Sequence, residues 1–282
     1  MKRCMRSGSL ALAAVLAVAS GSSNAQDHSA RLGSRPIPTT PTPARRDAEL
    51  AALVAAYPQF LAGHDGDTLV WRDGTRTPAS NGRGAETPLQ LTETPSIEDM
   101  FVWRYPLATE PASAPTGDPG RGRPAELFVK MYGDCRKGQV TPNLASVTWV
   151  DGTRLPFTRV NGAAAALAAA IADLEALGPA YTRYLVPSAG TYNCRVIAGT
   201  QLLSMHSYGA AIDLSTRYSA YWQWSDKSAH GLAPYVDQIP LQIVAVFERH
   251  GFIWGGRWAD FDTMHFEYRP EIIAVARQTV AR

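Results

Sequence analysis

Only three cysteines stand in the 282 residues, none in a CxxC spacing, which excludes a cysteine-built zinc finger and a thioredoxin-type redox pair. No apolar run approaches the roughly 20 residues that a membrane-crossing helix needs, so no transmembrane segment is expected. Excess charge of one sign is missing too, with 27 basic residues against 25 acidic ones. Without a polybasic run the chain lacks the phosphate-neutralising surface on which nucleic-acid affinity rests, and no nucleic-acid partner is expected. There is no repeat and no heptad run. A GxSxG elbow, an HExxH helix and a phosphate-binding GxxxxGK[ST] loop are all absent, which removes the serine-hydrolase, zincin and nucleotide-binding readings.

What is there begins with "MKRCMRSGSLALAAVLAVASGSSNAQ", a basic start, an apolar run over residues 10–19 and small residues up to Ala25. This pattern predicts a signal peptide over residues 1–25 and an exported protein, periplasmic or secreted. Its removal takes Lys2, Arg3 and Arg6 and no acid, leaving 24 basic and 25 acidic residues, a net charge of −1. Cys4 leaves with it. In an oxidising compartment the remaining pair, Cys135 and Cys194, is expected to form a disulfide.

Residues 26–46, rich in Pro, Thr and Arg, predict an extended linker. Residues 47–160 form an N-terminal region without an evident role, and residues 161–282 the expected catalytic core. "DAELAALVAAYPQFL" has helical spacing after a possible Asp47 cap, and "TLVWRDGTRTP" predicts a hairpin about Asp73 and Gly74. "DPGRGR", with Arg121 and Arg123, predicts a solvated turn within a long loop. Two strands about Asp151 and Gly152 precede a helix from Gly162 capped by Asn161. A strand "AAIDLS" follows Gly209, a helix with Pro240 in its first turn ends at Gly251, and short strands lie in "GFIWGG" and "TMHFEYRP". Short strands and separated helices without a βαβ rhythm predict an α+β fold, a small mixed or antiparallel sheet with flanking helices.

Of six histidines, His28, His64 and His230 lie in polar loop segments and His250 at a helix end. The other two differ. "SMHSYGAAID" sets His206 before Asp213 with Gly209 between them, but a catalytic zinc takes three protein ligands and leaves one position for water. "WADFDTMHFEYRP" supplies the third in His265. Imidazole, carboxylate and imidazole suit Zn2+, which would acidify water and polarise a carbonyl. Two carboxylates compete as general base: Glu267 shares a face with His265 if "MHFEY" is extended, whereas Asp262 approaches from the preceding loop. Ser204 and Tyr208 flank His206 and offer hydrogen bonds to substrate or to their own loop. Gly255 and Gly256 permit close backbone approach, Trp254 reads as core, and Trp258 reads equally as core or as cleft wall.

The motifs "SMHSYGAAID" and "DTMHFEY" resemble the SxHxxGxAxD and [DE]xxH motifs of the VanY/VanX-type D-alanyl-D-alanine metallopeptidases, a group that includes L-alanyl-D-glutamate endopeptidases. The resemblance covers roughly residues 185–270. It implies zinc on His206, Asp213 and His265, Asp262 as general acid and base, and Glu267 as a residue holding a ligand imidazole. It also implies that Arg195, upstream of the first histidine, steadies the substrate oxyanion. The implied substrates are peptidoglycan stem peptides, cut by a carboxypeptidase or an endopeptidase, and Asp rather than Glu at position 262 leans towards the endopeptidase branch. A zinc-stabilised module that binds cell wall or protein without hydrolysis is the competing reading.

Overall fold

The computed structural model describes residues 41–83, 86–110, 115–197, 200–224, 235 and 237–280; the expected signal peptide, most of the linker, His28 and His230 lie outside them. The first helix, α1 (Pro43–Ala56), starts inside the segment expected to be linker. Thr42, not Asp47, caps it: the Thr42 hydroxyl accepts from the Arg45 amide at 3.3 Å, and Pro43 has its φ preset for a first helical turn. Burial of Glu49, Leu50, Ala52 and Leu53 then anchors the helix.

A three-stranded antiparallel sheet follows, β1 (Leu61–Asp65), β2 (Thr68–Trp71) and β3 (Arg76–Pro78), with the expected turn at Asp73 and Gly74. His64 sits in β1 rather than in a loop. Helices α2 (Pro88–Glu93) and α3 (Ala125–Tyr132) flank the turn-rich stretch between them. Strands β4 (Leu144–Thr148) and β5 (Arg154–Thr158) form the predicted hairpin, and α4 (Ala163–Ala176) packs on it. Gly162, at φ 76°, is the N-cap of α4; Asn161 does not cap it, being itself left-handed at φ 54° with its amide turned to the Met131 sulfur.

After the short α5 (Thr182–Leu185), the chain builds a second antiparallel sheet in the order β6 (Ala211–Asp213), β8 (His265–Tyr268), β7 (Phe252–Trp254). Helix α6 (Leu241–Arg249) precedes β7 and α7 (Pro270–Val280) closes the fold. The architecture is α+β, with small antiparallel sheets and seven helices among the described residues.

Strand alternation sorts the β6–β8–β7 sheet between two cores. Ile212, Phe266, Phe252 and Trp254 point into one core with α4, α6 and the β4–β5 hairpin. Ala211 and Ile253 point into the other, with α1, α3, α7 and the β1–β2 hairpin. Both cores therefore draw residues from either side of position 160. Trp254 stacks on Phe266 with its indole N–H donated to the Thr263 carbonyl, the core role read from its sequence.

Candidate metal centre

The ladder between β6 and β8 pairs Asp213 with His265 and Ala211 with Glu267, so these side chains share the face turned towards the N-terminal half. His206 arrives from the single 3₁₀ turn Met205–Tyr208, held by the Ser204 hydroxyl, which accepts from the His206 amide at 3.3 Å. Gly209 ends that turn at φ 66° and redirects the chain into β6.

Three inward side chains converge. His206 Nε2 lies 3.2 Å from His265 Nδ1 and 3.2 Å from Asp213 Oδ2, and His265 Nδ1 lies 3.0 Å from Asp213 Oδ1. An ion bound at ~2.0–2.1 Å in tetrahedral geometry holds its ligands roughly 3.3 Å apart, so the triangle has the right size. The outer nitrogens fix the tautomers: His206 Nδ1–H is donated to the Thr191 carbonyl and His265 Nε2–H to Glu267 Oε2, the latter at 2.9 Å. Once His265 has lost its second proton, two imidazole lone pairs face each other beside a carboxylate, a set that calls for a cation. His206, Asp213 and His265 are the one such cluster of three metal-ligating side chains among the described residues.

Electrostatics follow from the same contacts. Burial opposes charge on Asp213, but the two histidines outweigh it and hold the carboxyl far below its ordinary range. Burial likewise opposes charge on His265, yet its hydrogen bonds to Asp213 and Glu267 raise it to about 9. Asp262 behaves oppositely: burial pushes it up to about 6, with the opposing charges of His265 and Asp213 both bearing on it. Its Oδ1 is buried without a hydrogen-bond partner. The Asp262 carbonyl accepts from the His265 amide at 3.2 Å and its amide donates to the Gly255 carbonyl at 3.0 Å. A Cβ on Gly255 would come within 2.5 Å of the Asp262 carbonyl oxygen, so glycine is required for that approach.

Arg195 is exposed, and its charge bears on Tyr221, whose backbone bridges to Asp262. Its loop is strapped to the histidine turn: the Ser207 hydroxyl accepts from the Arg195 amide at 2.9 Å and contacts the Arg195 carbonyl at 2.6 Å, and Ser204 N–H reaches that carbonyl at 3.1 Å. The disulfide Cys135–Cys194 ties the same loop to the turn after α3. Tyr208 points away, packed among Phe128 and Tyr132 and raised to about 12 by burial. Trp258 is buried behind the cluster, its indole N–H on the Pro119 carbonyl at 2.9 Å and its ring 5.5 Å from that of His265.

"DPGRGR" is not the solvated turn its composition predicts. Arg123 is 5% exposed and paired to Glu267, and Arg121 lies against Asp118 and Asp260. These partners stand more than 100 residues away in sequence for Arg123, which is why local reading misses them. Thr191 and Ser207 escape it too: one acts through a backbone carbonyl that leaves no side-chain signature, and the other reads as filler within the motif.

A cluster of this kind on adjacent strands, with a buried carboxylate oxygen free of hydrogen bonds beside it, is the equipment a metal-dependent hydrolase would use. Residues 198–268 match the family model described as D-alanyl-D-alanine carboxypeptidase, a segment that holds His206, Asp213, Asp262, His265 and Glu267 and leaves Arg195 just outside. The resemblance read from the two motifs stands, and the matched segment is peptidase-like. No curated protein and no solved structure matches the chain. Among the described residues no single helix is long and apolar enough to cross a membrane.

Proposed function

We propose that the chain is an exported zinc peptidase that hydrolyses peptide bonds in peptidoglycan stem peptides. The observation that carries the reading is the triangle of His206 Nε2, Asp213 and His265 Nδ1, at 3.0–3.2 Å, with the unpartnered Asp262 carboxylate beside it. His206, Asp213 and His265 would hold the zinc, which when bound supplies Lewis acidity towards a carbonyl and towards water.

Asp262 takes the proton of the attacking water and delivers it to the departing amine. A carboxyl raised by burial to about 6 suits both directions, being ionised at neutral pH yet basic enough to accept. Arg195 steadies the negative charge that develops on the scissile oxygen, its backbone held by Ser207 and by the disulfide. The disulfide, together with the signal-like N-terminus, supports export.

The test is metal content by mass spectrometry on the purified protein, paired with digestion of muropeptides before and after chelation. About one zinc per chain with chelator-sensitive cleavage is expected, and the product masses identify the bond. Zinc without cleavage would instead make this a wall-binding module.

A further inference from the structure

The face that carries Asp213, His265 and Glu267 is covered by residues from the N-terminal half, and within that largely apolar cover Glu267 meets charged side chains. Glu267 is completely buried, and four donors fill its carboxylate. Oε2 accepts from His265 Nε2 at 2.9 Å and from an Arg123 terminal nitrogen; Oε1 accepts from Arg269 Nη1 at 3.1 Å and from Arg123 Nε at 3.4 Å. Arg269 is fixed in turn. Its Nε donates to Glu271 at 2.5 Å, its terminal nitrogens reach the Gly120 and Gly122 carbonyls, and Tyr57, just past the end of α1, donates to Glu271 at 2.6 Å. Thus the loop that supplies Arg123 also supplies two backbone acceptors for Arg269.

We propose that Arg123 and Arg269 are positioning residues of the metal centre: by saturating Glu267 they fix its carboxylate, and through it the ring plane and inward Nδ1 of His265. The inference rests on the reading of His206, Asp213 and His265 as metal ligands. Stability is a poor account of this arrangement, because buried ion networks replaced by apolar groups of similar volume often leave a fold as stable or more so. What an apolar plug cannot supply is an immobile acceptor for the imidazole N–H. The N-terminal half, which the family match does not cover, thereby becomes part of the centre rather than an appendage.

The test uses the full mature chain, stripped of metal, titrated with Co2+ against a competing chelator, with the visible spectrum reporting ligand geometry. Arg123→Met is expected to weaken cobalt binding about 10- to 100-fold and to shift the absorption bands, and Arg123→Lys, which keeps the charge but not the two-pronged contact, to recover part of both. If Arg123→Met fails to fold, as judged by circular dichroism of the metal-free protein, the Lys variant carries the test through its band shift. Folded variants with wild-type affinity and spectrum overturn the positioning role alone. A wild-type chain that gives no ligand-field spectrum with cobalt overturns the metal reading as well.

Discussion

Gly209 joins the turn bearing His206 to the strand bearing Asp213, and replacing it with alanine separates two costs that usually come mixed. Its φ of 66° is left-handed, a conformation that costs an L-residue with a Cβ about 1–2 kcal/mol. An added Cβ would also lie 2.6 Å from Leu144 Cδ2 and 3.3 Å from the Thr158 amide nitrogen. The leucine tip can rotate away, but Thr158 N donates to the Gly209 carbonyl at 2.8 Å, so turn and hairpin cannot part without losing that bond. Overpacking of this kind costs about 1–3 kcal/mol, giving roughly 2–5 kcal/mol in all, a drop of about 4–20 °C in melting temperature. Gly66 is the internal control: its φ is 55° and a Cβ there meets nothing within 4 Å. Gly66→Ala should therefore show the backbone cost alone, about 1–2 kcal/mol, and leave zinc affinity unchanged. Urea unfolding of the metal-free proteins, with zinc affinity by chelator competition, measures both variants. Equal losses for the two, or undiminished zinc affinity in Gly209→Ala, would refute the claim that packing against β4–β5 fixes the ligand turn.

Asp262→Asn should retain zinc and lose about 10²- to 10⁴-fold in kcat, and full hydrolysis by a zinc-loaded variant would remove Asp262 from the chemistry. The wild-type rate should fall as pH drops through the Asp262 range, at or below about 6 because a nearby dication favours the carboxylate; a rate that rises on acidification would contradict a base role. In chelator-treated protein His265, raised to about 9, holds a proton that the metal must displace. Zinc affinity should therefore climb with pH between about 7 and 9, by up to tenfold per unit, and a flat profile in competition titrations would count against the contacts to Asp213 and Glu267. Cys135 and Cys194 close a loop of 59 residues, for which chain entropy predicts about 4 kcal/mol; reduction should lower the denaturation midpoint accordingly, and an unchanged midpoint would show that the bridge is absent or the loop already ordered.

Most of the centre is legible in sequence because its parts are local. Asp213 follows His206 by seven positions that hold the turn, its glycine and the strand, and His265 follows Asp262 by three, one further turn. Hairpins at Asp73–Gly74 and Asp151–Gly152 announce themselves for the same reason. What composition hides is the destination of charge. Arg123 and Arg269 look like solvent-seeking residues, and only the three-dimensional meeting with Glu267 and Glu271 makes their burial affordable. Thr42 and Gly162 displaced Asp47 and Asn161 as helix starts on a smaller scale: each true cap is set by backbone conformation, which a preference table reads only weakly.

The pairing of Asp213 directly opposite His265 has a consequence for how such a protein can change. A cross-strand pair depends on register, whereas the partners' sequence separation of 52 contributes nothing to their distance. Insertions or deletions between β6 and α6 leave the two side chains facing each other as long as the ladder re-forms. A slip of one rung sends Asp213 or His265 to the opposite face and dissolves the centre. The facing of Asp213 and His265 is thus insulated from length variation between β6 and α6, whereas Gly255 and Asp262, next to the pair, are not.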